Sequence, residues 1–367
     1  MARRARPFGP GWGEPSPAAA GEMGPELAGH YRACLPVIRG ALAEYSVSPV
    51  PELLARPGLP GLSRADWSVL RYYLDRPGKL LRPYLAMLAL QAAGRDPEAF
   101  RPLLWTLEVM ESATVMLDDA LDSSPCRRGA RAAQLVYGPR AASAAMTVFH
   151  LCLGVPDHPA LPLGSSQRLR LHELMNSYYF RACRGHLSEP LLTEAGGPVS
   201  MAAYLDNVRD RISILSFAGP LGAAAVCAGL PRAREAEFCA LGETLGAAYH
   251  LRGDILNLFP EDPSWGKLPG DDFLAGKATF LTSAALARLE RDDPGAADSV
   301  LSGKPSPGAL RRAVRAARDC GAVQETQAAI ASLNARALDI VAGLGLPRAS
   351  RAIFSRLPLY LSARRTK

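Results

Sequence analysis

A chain of 367 residues, 48% apolar but only 7% aromatic, is long enough to bury a large core. Its net charge of +7 is scattered or terminal, without aromatic interleaving, zinc-finger or helix-turn-helix patterns, so nucleic acid is not an expected partner. Seven cysteines without a CxxC pair argue against a secreted disulfide framework.

Residues 1–22, rich in Pro, Gly and Ala, lack packing periodicity and read as a disordered tail. No apolar segment follows their basic start, so no signal peptide is expected. One helical domain is expected over 23–362, then a basic tail at 363–367. Leu27, Tyr31, Leu35, Ile38 and Leu42 predict a helix from about Pro25 to Tyr45. After a proline-rich connection at 46–62, Ser63 is a candidate cap for a helix through Trp67, Leu70 and Leu74. Pro77 and Gly78 punctuate the next stretch, and a helix then carries Leu85 and Leu88 toward the core. Lys79 and Arg82 share a face at its opening turns beside unpaired backbone N–H groups, which suits a diphosphate.

Residues 104–129 carry the most informative pattern. Leu104, Leu107, Met110, Val115 and Leu121 give an apolar stripe, with Glu108 and Glu111 its only charges before Asp118, Asp119 and Asp122. At helical spacing all three aspartates can crowd one face, where they repel unless a cation holds them. Oxygen-only ligands point to Mg²⁺, bound through one or two carboxylates plus the phosphates of a substrate. Arg127 and Arg128, followed by Gly129, set two phosphate-seeking forks close by.

A turn at Gly138–Pro139 leads to a helix over 141–152, a loop over 154–165 and a long helix over about Ser166–Leu187. That helix holds His172 and Glu173, but Asn176 stands where a zinc-protease motif needs histidine. Helices over 200–229 carry Arg209 and Arg211 ahead of an apolar run, which Gly219, Pro220 and Gly222 interrupt too early for a membrane span. A cytoplasmic, soluble protein follows as the expectation. Another helix covers 232–259, and the turn-rich 260–280 sets Lys267 and Lys277 on either side of Asp271 and Asp272. One helix is expected over 307–344 and a short one through Ile353 and Leu357. No stretch alternates long enough to make a convincing strand, so the expected fold is all-α, a helical bundle around a central cavity.

In this combination the chain resembles the trans-prenyltransferases, or isoprenyl diphosphate synthases, of the class I terpenoid synthase fold. Gly78-Lys79-Leu80-Leu81-Arg82-Pro83 looks like the family's GKxxRP motif. Asp118-Asp119-Ala120-Leu121-Asp122 with Arg127-Arg128-Gly129 looks like its first DDxxD motif and RRG. Tyr249–Leu258 is similar to the second aspartate-rich motif, and 266–279 to the downstream lysine segment. The resemblance implies condensation of an allylic diphosphate with isopentenyl diphosphate, assisted by up to three Mg²⁺. It makes Asp118 and Asp122 the main metal ligands with Asp119 in support, and Asp254 and Asn257 their counterparts in the second motif. Arg127, Arg211, Lys267 and Lys277 would face the allylic diphosphate; Lys79, Arg82 and Arg128 would hold isopentenyl diphosphate. A homodimer, or a heteromeric partner synthase, is implied as well.

The departures from the pattern matter. Gly253 replaces an aspartate of the second motif, which puts the third Mg²⁺ in doubt, and His250 replaces the helper glutamine. The usual Lys-Thr pair is Arg211-Ile212. Glu111 stands where the family often has a histidine touching isopentenyl diphosphate; it is repulsive to that ligand unless protonated or paired with Lys79 or Arg82. Three readings follow: a chain-elongating synthase, an enzyme of the same fold that ionises and cyclises one prenyl diphosphate, or a weakly active subunit of a heteromeric synthase. The resemblance also implies that Ala113 and Thr114, just before the first motif, would line the chain-length pocket, where an alanine would leave room for a product of C20 or longer.

Overall fold

The computed structural model describes residues 13–46, 64–76, 78–122, 124–189, 191–194, 197–261 and 269–363. The connection after residue 46, the Ser63 cap, Pro77, Lys267, the first twelve residues and the last four lie outside the described residues. The described residues are helical almost throughout: α1 Pro17–Ser46, α2 Arg64–Leu74, α3 Leu81–Ala92, α4 Arg101–Leu121, α5 Ala133–Tyr137 and α6 Arg140–Cys152 come first. Then follow α7 Ser165–Ser188, α8 Leu191–Glu194, α9 Met201–Val208, a π-helical stretch Arg209–Ala218, α10 Gly219–Ala228 and α11 Arg232–Leu258. The last six are α12 Asp271–Leu274, α13 Phe280–Asp292, α14 Pro294–Leu301, α15 Pro307–Asp319, α16 Ala322–Gly343 and α17 Arg348–Ala363. Among the described residues the only strands are β1 Cys126–Arg127 and β2 Ala130–Arg131, an antiparallel pair with Arg127 opposite Ala130. Their two-residue turn puts both Arg128 (φ 52°) and Gly129 (φ 73°) in the left-handed region, as a tight hairpin requires.

Several boundaries differ from expectation. The first helix begins at Pro17, inside the stretch read as a tail, because Ala19 and Met23 find buried places; Gly24 (φ 71°, ψ 164°) kinks it. The helix expected over 307–344 is two helices, since Gly321 (φ 86°) takes the left-handed conformation that ends α15. Helices α13 and α14 went unforeseen; a reciprocal cap between Thr279 and Thr282 starts the first, and the Asp293 side chain caps the second.

The fold divides into two compact units. One gathers Pro25–Ser177 and Gly219–Phe238, and in it α4 packs on α6, α3 and α2, while α10 packs on α3. Helix α3 is buried continuously from Pro83 to Leu90, so Arg82 and Lys79 sit where a buried helix emerges. The other gathers Pro17–Gly24, Tyr178–Ala218 and Cys239–Lys367, with a core that includes Tyr204, Val208, Leu251, Ile255, Phe273 and Phe280.

The π-helical stretch belongs to this second unit and is hemmed in by glycines. A Cβ on Gly185 of α7 would come within 2.6 Å of the Arg211 backbone, and one on Gly246 of α11 within 2.6 Å of the Ser213 side chain. Backbones that approach so closely need glycine, and the wider helical turn is a feature often found at functional sites. Residues 201–228 form a helical run long and apolar enough to cross a membrane, and most of its apolar window is buried in the fold.

Candidate active site

In the first unit the three aspartates do not share a face. Asp119 lies about 100° around α4 from Asp118 and is turned fully inward. Its carboxylate accepts from Arg127 Nε at 2.8 and 3.1 Å and from the Tyr73 hydroxyl at 2.6 Å, while that hydroxyl accepts from the Ala133 N–H at 2.9 Å. The Arg127 fork closes on Asp119 and also reaches Asp118 Oδ2 at 3.5 Å. Burial and the hydrogen bond to Asp119 push the Tyr73 phenol well up, so it stays a donor. Asp118 and Asp122 remain half-buried at the last turn of α4, where the Asp122 N–H bonds the Asp118 carbonyl at 2.8 Å. The three carboxylates therefore do not converge as expected: Asp118 and Asp122 stay half-buried at the helix end, and Asp119 anchors Arg127.

Arg128 is held by backbone. Its Nη1 donates to the carbonyls of Tyr73 (2.8 Å) and Arg76 (2.7 Å) at the end of α2. A Cβ on Gly78 would lie 2.8 Å from Arg128 Nη2, so the glycine before Lys79 makes the room this guanidinium occupies. The Lys79 carbonyl accepts from the Tyr31 hydroxyl at 2.7 Å. Arg82 pairs with Glu111 across the α3–α4 contact, both side chains being largely buried. Glu111 Oε2 takes no aligned hydrogen bond from a described residue, so the pair is held by charge. One turn earlier on α4, Glu108 is 2% exposed. Burial, reinforced by Glu111 and offset by Arg128 and Arg82, pushes its carboxyl up to about 7.

In the second unit Asp254 is the centre. The Tyr204 hydroxyl donates to its Oδ2 at 2.6 Å, and His250 Nε2 lies 3.2 Å from that hydroxyl and 3.6 Å from Asp254 Oδ1. Burial and the neighbouring Asp272 push the Asp254 carboxyl well up, against the opposing pull of the Tyr204 hydrogen bond, Arg211 and Lys277. Asn257 gives its amide to both Asp272 oxygens at 3.1 Å, and the Lys277 N–H bonds the Asp272 carbonyl at 2.9 Å. Arg211, buried on the π-helical stretch, pairs with Glu189 at 2.7 Å. Gly253 brings no side-chain donor to this group.

Ala113 is buried on α4, and Thr114 beside it donates to the Met110 carbonyl at 2.8 Å. Sequence reasoning assigned no role to Tyr73, Glu108, Glu189 or Tyr204. Glu108 left a signal, a charge inside an apolar stripe. Tyr73 and Tyr204 left none, because their partners lie 46 and 50 residues away.

Residues 67–316 match the family model described as polyprenyl synthetase. The chain belongs to that family. A polyprenyl synthetase of this kind is a class I prenyltransferase that condenses prenyl diphosphates, on the class I terpenoid synthase fold. Among relatives, it is 24% identical to a geranylgeranyl diphosphate synthase of Methanosarcina mazei over 69% of this chain and 76% of that protein. Among solved structures, a polyprenyl synthase from Caulobacter crescentus, complexed with calcium and isoprenyl diphosphate, superposes with a TM-score of 0.77 at 22% identity. That match covers 96% of this chain and 100% of the other. A geranylgeranyl pyrophosphate synthase from Corynebacterium glutamicum, complexed with isoprenyl diphosphate and magnesium, gives 0.75 at 23% identity, covering 89% and 97%.

Proposed function

We propose that this polyprenyl synthetase is a Mg²⁺-dependent chain-elongating enzyme that joins an allylic diphosphate to isopentenyl diphosphate, with a product of C20 or longer. The observation that carries the reading is the way the first unit commits buried partners to its cations. Asp119 and Tyr73 aim Arg127, and two carbonyls with Gly78 aim Arg128. Holding guanidinium groups in fixed geometry is the support an accumulating diphosphate charge needs, since preorganised cations require no rearrangement as the C–O bond breaks. The magnesium complex of the Corynebacterium synthase supports the choice of metal.

Among the described residues no three His, Cys, Asp or Glu side chains converge on a metal position. Asp118 and Asp122 are two half-buried oxygen donors a turn apart, which fits Mg²⁺ completed by substrate phosphates. When bound, the metal neutralises the leaving diphosphate. Arg127 adds a fixed charge beside the same carboxylates, and Arg211 and Lys277 are proposed as further cations for the allylic diphosphate. In the second motif Asp254, bonded by Tyr204 and lacking a carboxylate at 253, is a poorer seat, and a third ion there should be weakly held. A homodimer is proposed by the same resemblance.

One observation favours a second reading. The Arg82–Glu111 pair leaves less cationic charge for isopentenyl diphosphate, which suits ionisation and cyclisation of a single prenyl diphosphate. Incubation of pure protein and Mg²⁺ with geranyl, farnesyl and geranylgeranyl diphosphates, each with and without isopentenyl diphosphate, decides between them. A longer diphosphate made only in the presence of isopentenyl diphosphate supports elongation. A hydrocarbon or terpene alcohol made from one substrate overturns it, and inactivity throughout points to a subunit that needs a partner chain.

A further inference from the structure

The cationic group around Lys79, Arg82 and Arg128 carries its own anions. Glu111 projects from α4 onto Arg82 at the start of α3, with side chains only 12% (Arg82) and 19% (Glu111) exposed. Glu108, three residues back and hence on the same side of α4, is more deeply buried and feels both Arg128 and Arg82. Two carboxylates thus sit beside Arg82 and Arg128 in a space where water screens poorly. A diphosphate that seeks the Arg82 fork finds a carboxylate already there. It must either displace Glu111, leaving that carboxylate half-buried beside its own negative charge, or bind without Arg82. The pair is also easy to open in one respect, since it has charge attraction but no aligned hydrogen bond at Glu111 Oε2. Arg128, in contrast, is held by the backbone carbonyls of Tyr73 and Arg76.

We propose that Glu111 is a specificity-determining residue, a built-in counter-ion that occupies Arg82 and must be displaced before a second diphosphate can use the seat. The inference rests on the reading of Lys79, Arg82 and Arg128 as the seat for isopentenyl diphosphate. Its consequence is weak binding of that substrate, independent of how the allylic diphosphate is held beside Asp118 and Asp122.

The test is equilibrium binding of isopentenyl diphosphate to the full chain by calorimetry, without allylic substrate, for wild type, Glu111→Gln and Glu111→His. Inorganic diphosphate serves as a tail-free probe. Removing the carboxylate is expected to tighten isopentenyl diphosphate binding at least tenfold, with a parallel fall in its KM and less than twofold change in the KM of the allylic diphosphate. Arg82→Gln should then weaken binding more in the Glu111→Gln background than in wild type, which a merely structural role of Glu111 does not produce. Unchanged or weaker binding in both folded Glu111 variants overturns the proposal, as does an equal effect of Arg82→Gln in the two backgrounds. Glu111→His covers the case in which the glutamine variant fails to fold. Because binding is read without turnover, the expected order of affinities in an enzyme that makes no longer diphosphate refutes the elongation reading alone. Normal elongation with unchanged affinities refutes only the role of Glu111.

Discussion

The guanidinium of Arg128 lies against Gly78, in space that any side chain at position 78 would claim; the nearest nitrogen is 2.8 Å from where a Cβ would stand. Two residues fifty apart in the chain, each part of a separate motif, are thereby one feature. Gly78→Ala should push Arg128 off the Tyr73 and Arg76 carbonyls and cost about tenfold or more in kcat/KM for isopentenyl diphosphate, the loss of one charged hydrogen-bonded contact. The same change in an Arg128→Ala background should cost almost nothing further. Additive losses in the two backgrounds would show that Gly78 acts by another route.

Asp118 and Asp119 are neighbours with opposite exposure, and their conservative variants should separate. Asp118→Asn should abolish Mg²⁺-dependent binding of a non-hydrolysable farnesyl diphosphate analogue while leaving the melting temperature near wild type. Asp119→Asn removes the charge that balances the largely buried Arg127 and weakens its hold on the Tyr73 hydroxyl. Breaking a buried ion pair costs about 3–5 kcal/mol, so this variant should melt several degrees lower. Thermal melts and calorimetry with Mg²⁺ or EDTA measure both. A stable Asp119→Asn protein with lost metal dependence would return Asp119 to the metal.

The difference between those two residues shows how far the sequence could be read. The all-helical fold, the motif helix and the cations were legible, because DDxxD spacing and apolar stripes are local. Which aspartate faces inward was not, because Pro102–Met110 of α4 are all buried and its apolar stripe does not point one way. The partner that draws Asp119 in, Tyr73, belongs to another helix. The π-helical stretch was hidden for the same reason: Gly185 and Gly246 take their meaning only when they meet the backbone and side chains of residues 211–213. The break in the helix expected over 307–344 was readable in Gly321, but the alanine-rich flanks outweighed a single glycine.

Glu108 predicts a pH dependence whose sign is fixed. Its carboxyl rises from an ordinary 4.5 to about 7 on folding, so the native state binds the proton more tightly than the unfolded chain. Stability from this group is fully present below pH 4.5 and is lost as the pH rises to 7, by roughly 3 kcal/mol at most. Glu108→Gln should lack that loss, and at pH 8 it should be more stable than wild type by an amount of that order. The difference between the two proteins' denaturation curves from pH 5 to 8 isolates the effect from other carboxylates. Parallel curves would mean that Arg128 and Arg82 hold Glu108 ionised throughout.

The last prediction concerns product length. Ala113 lies five residues before Asp118 on α4, 3% exposed, with Thr114 beside it bonded to the Met110 carbonyl. Each added prenyl unit needs more apolar depth, and a small side chain at that level leaves depth open. Ala113→Phe should close it, so that products of C20 and longer fall at least tenfold relative to shorter ones. Inserting a ring into a packed helix contact also costs about 1–3 kcal/mol, so Ala113→Leu is the gentler companion and should give an intermediate shift. Chromatography of dephosphorylated products, alongside melts of each variant, separates a shortened pocket from a damaged fold. An unchanged length distribution in two well-folded variants would move the floor one turn back to Met110. Met146, 61% exposed on α6, is the weaker choice for that role.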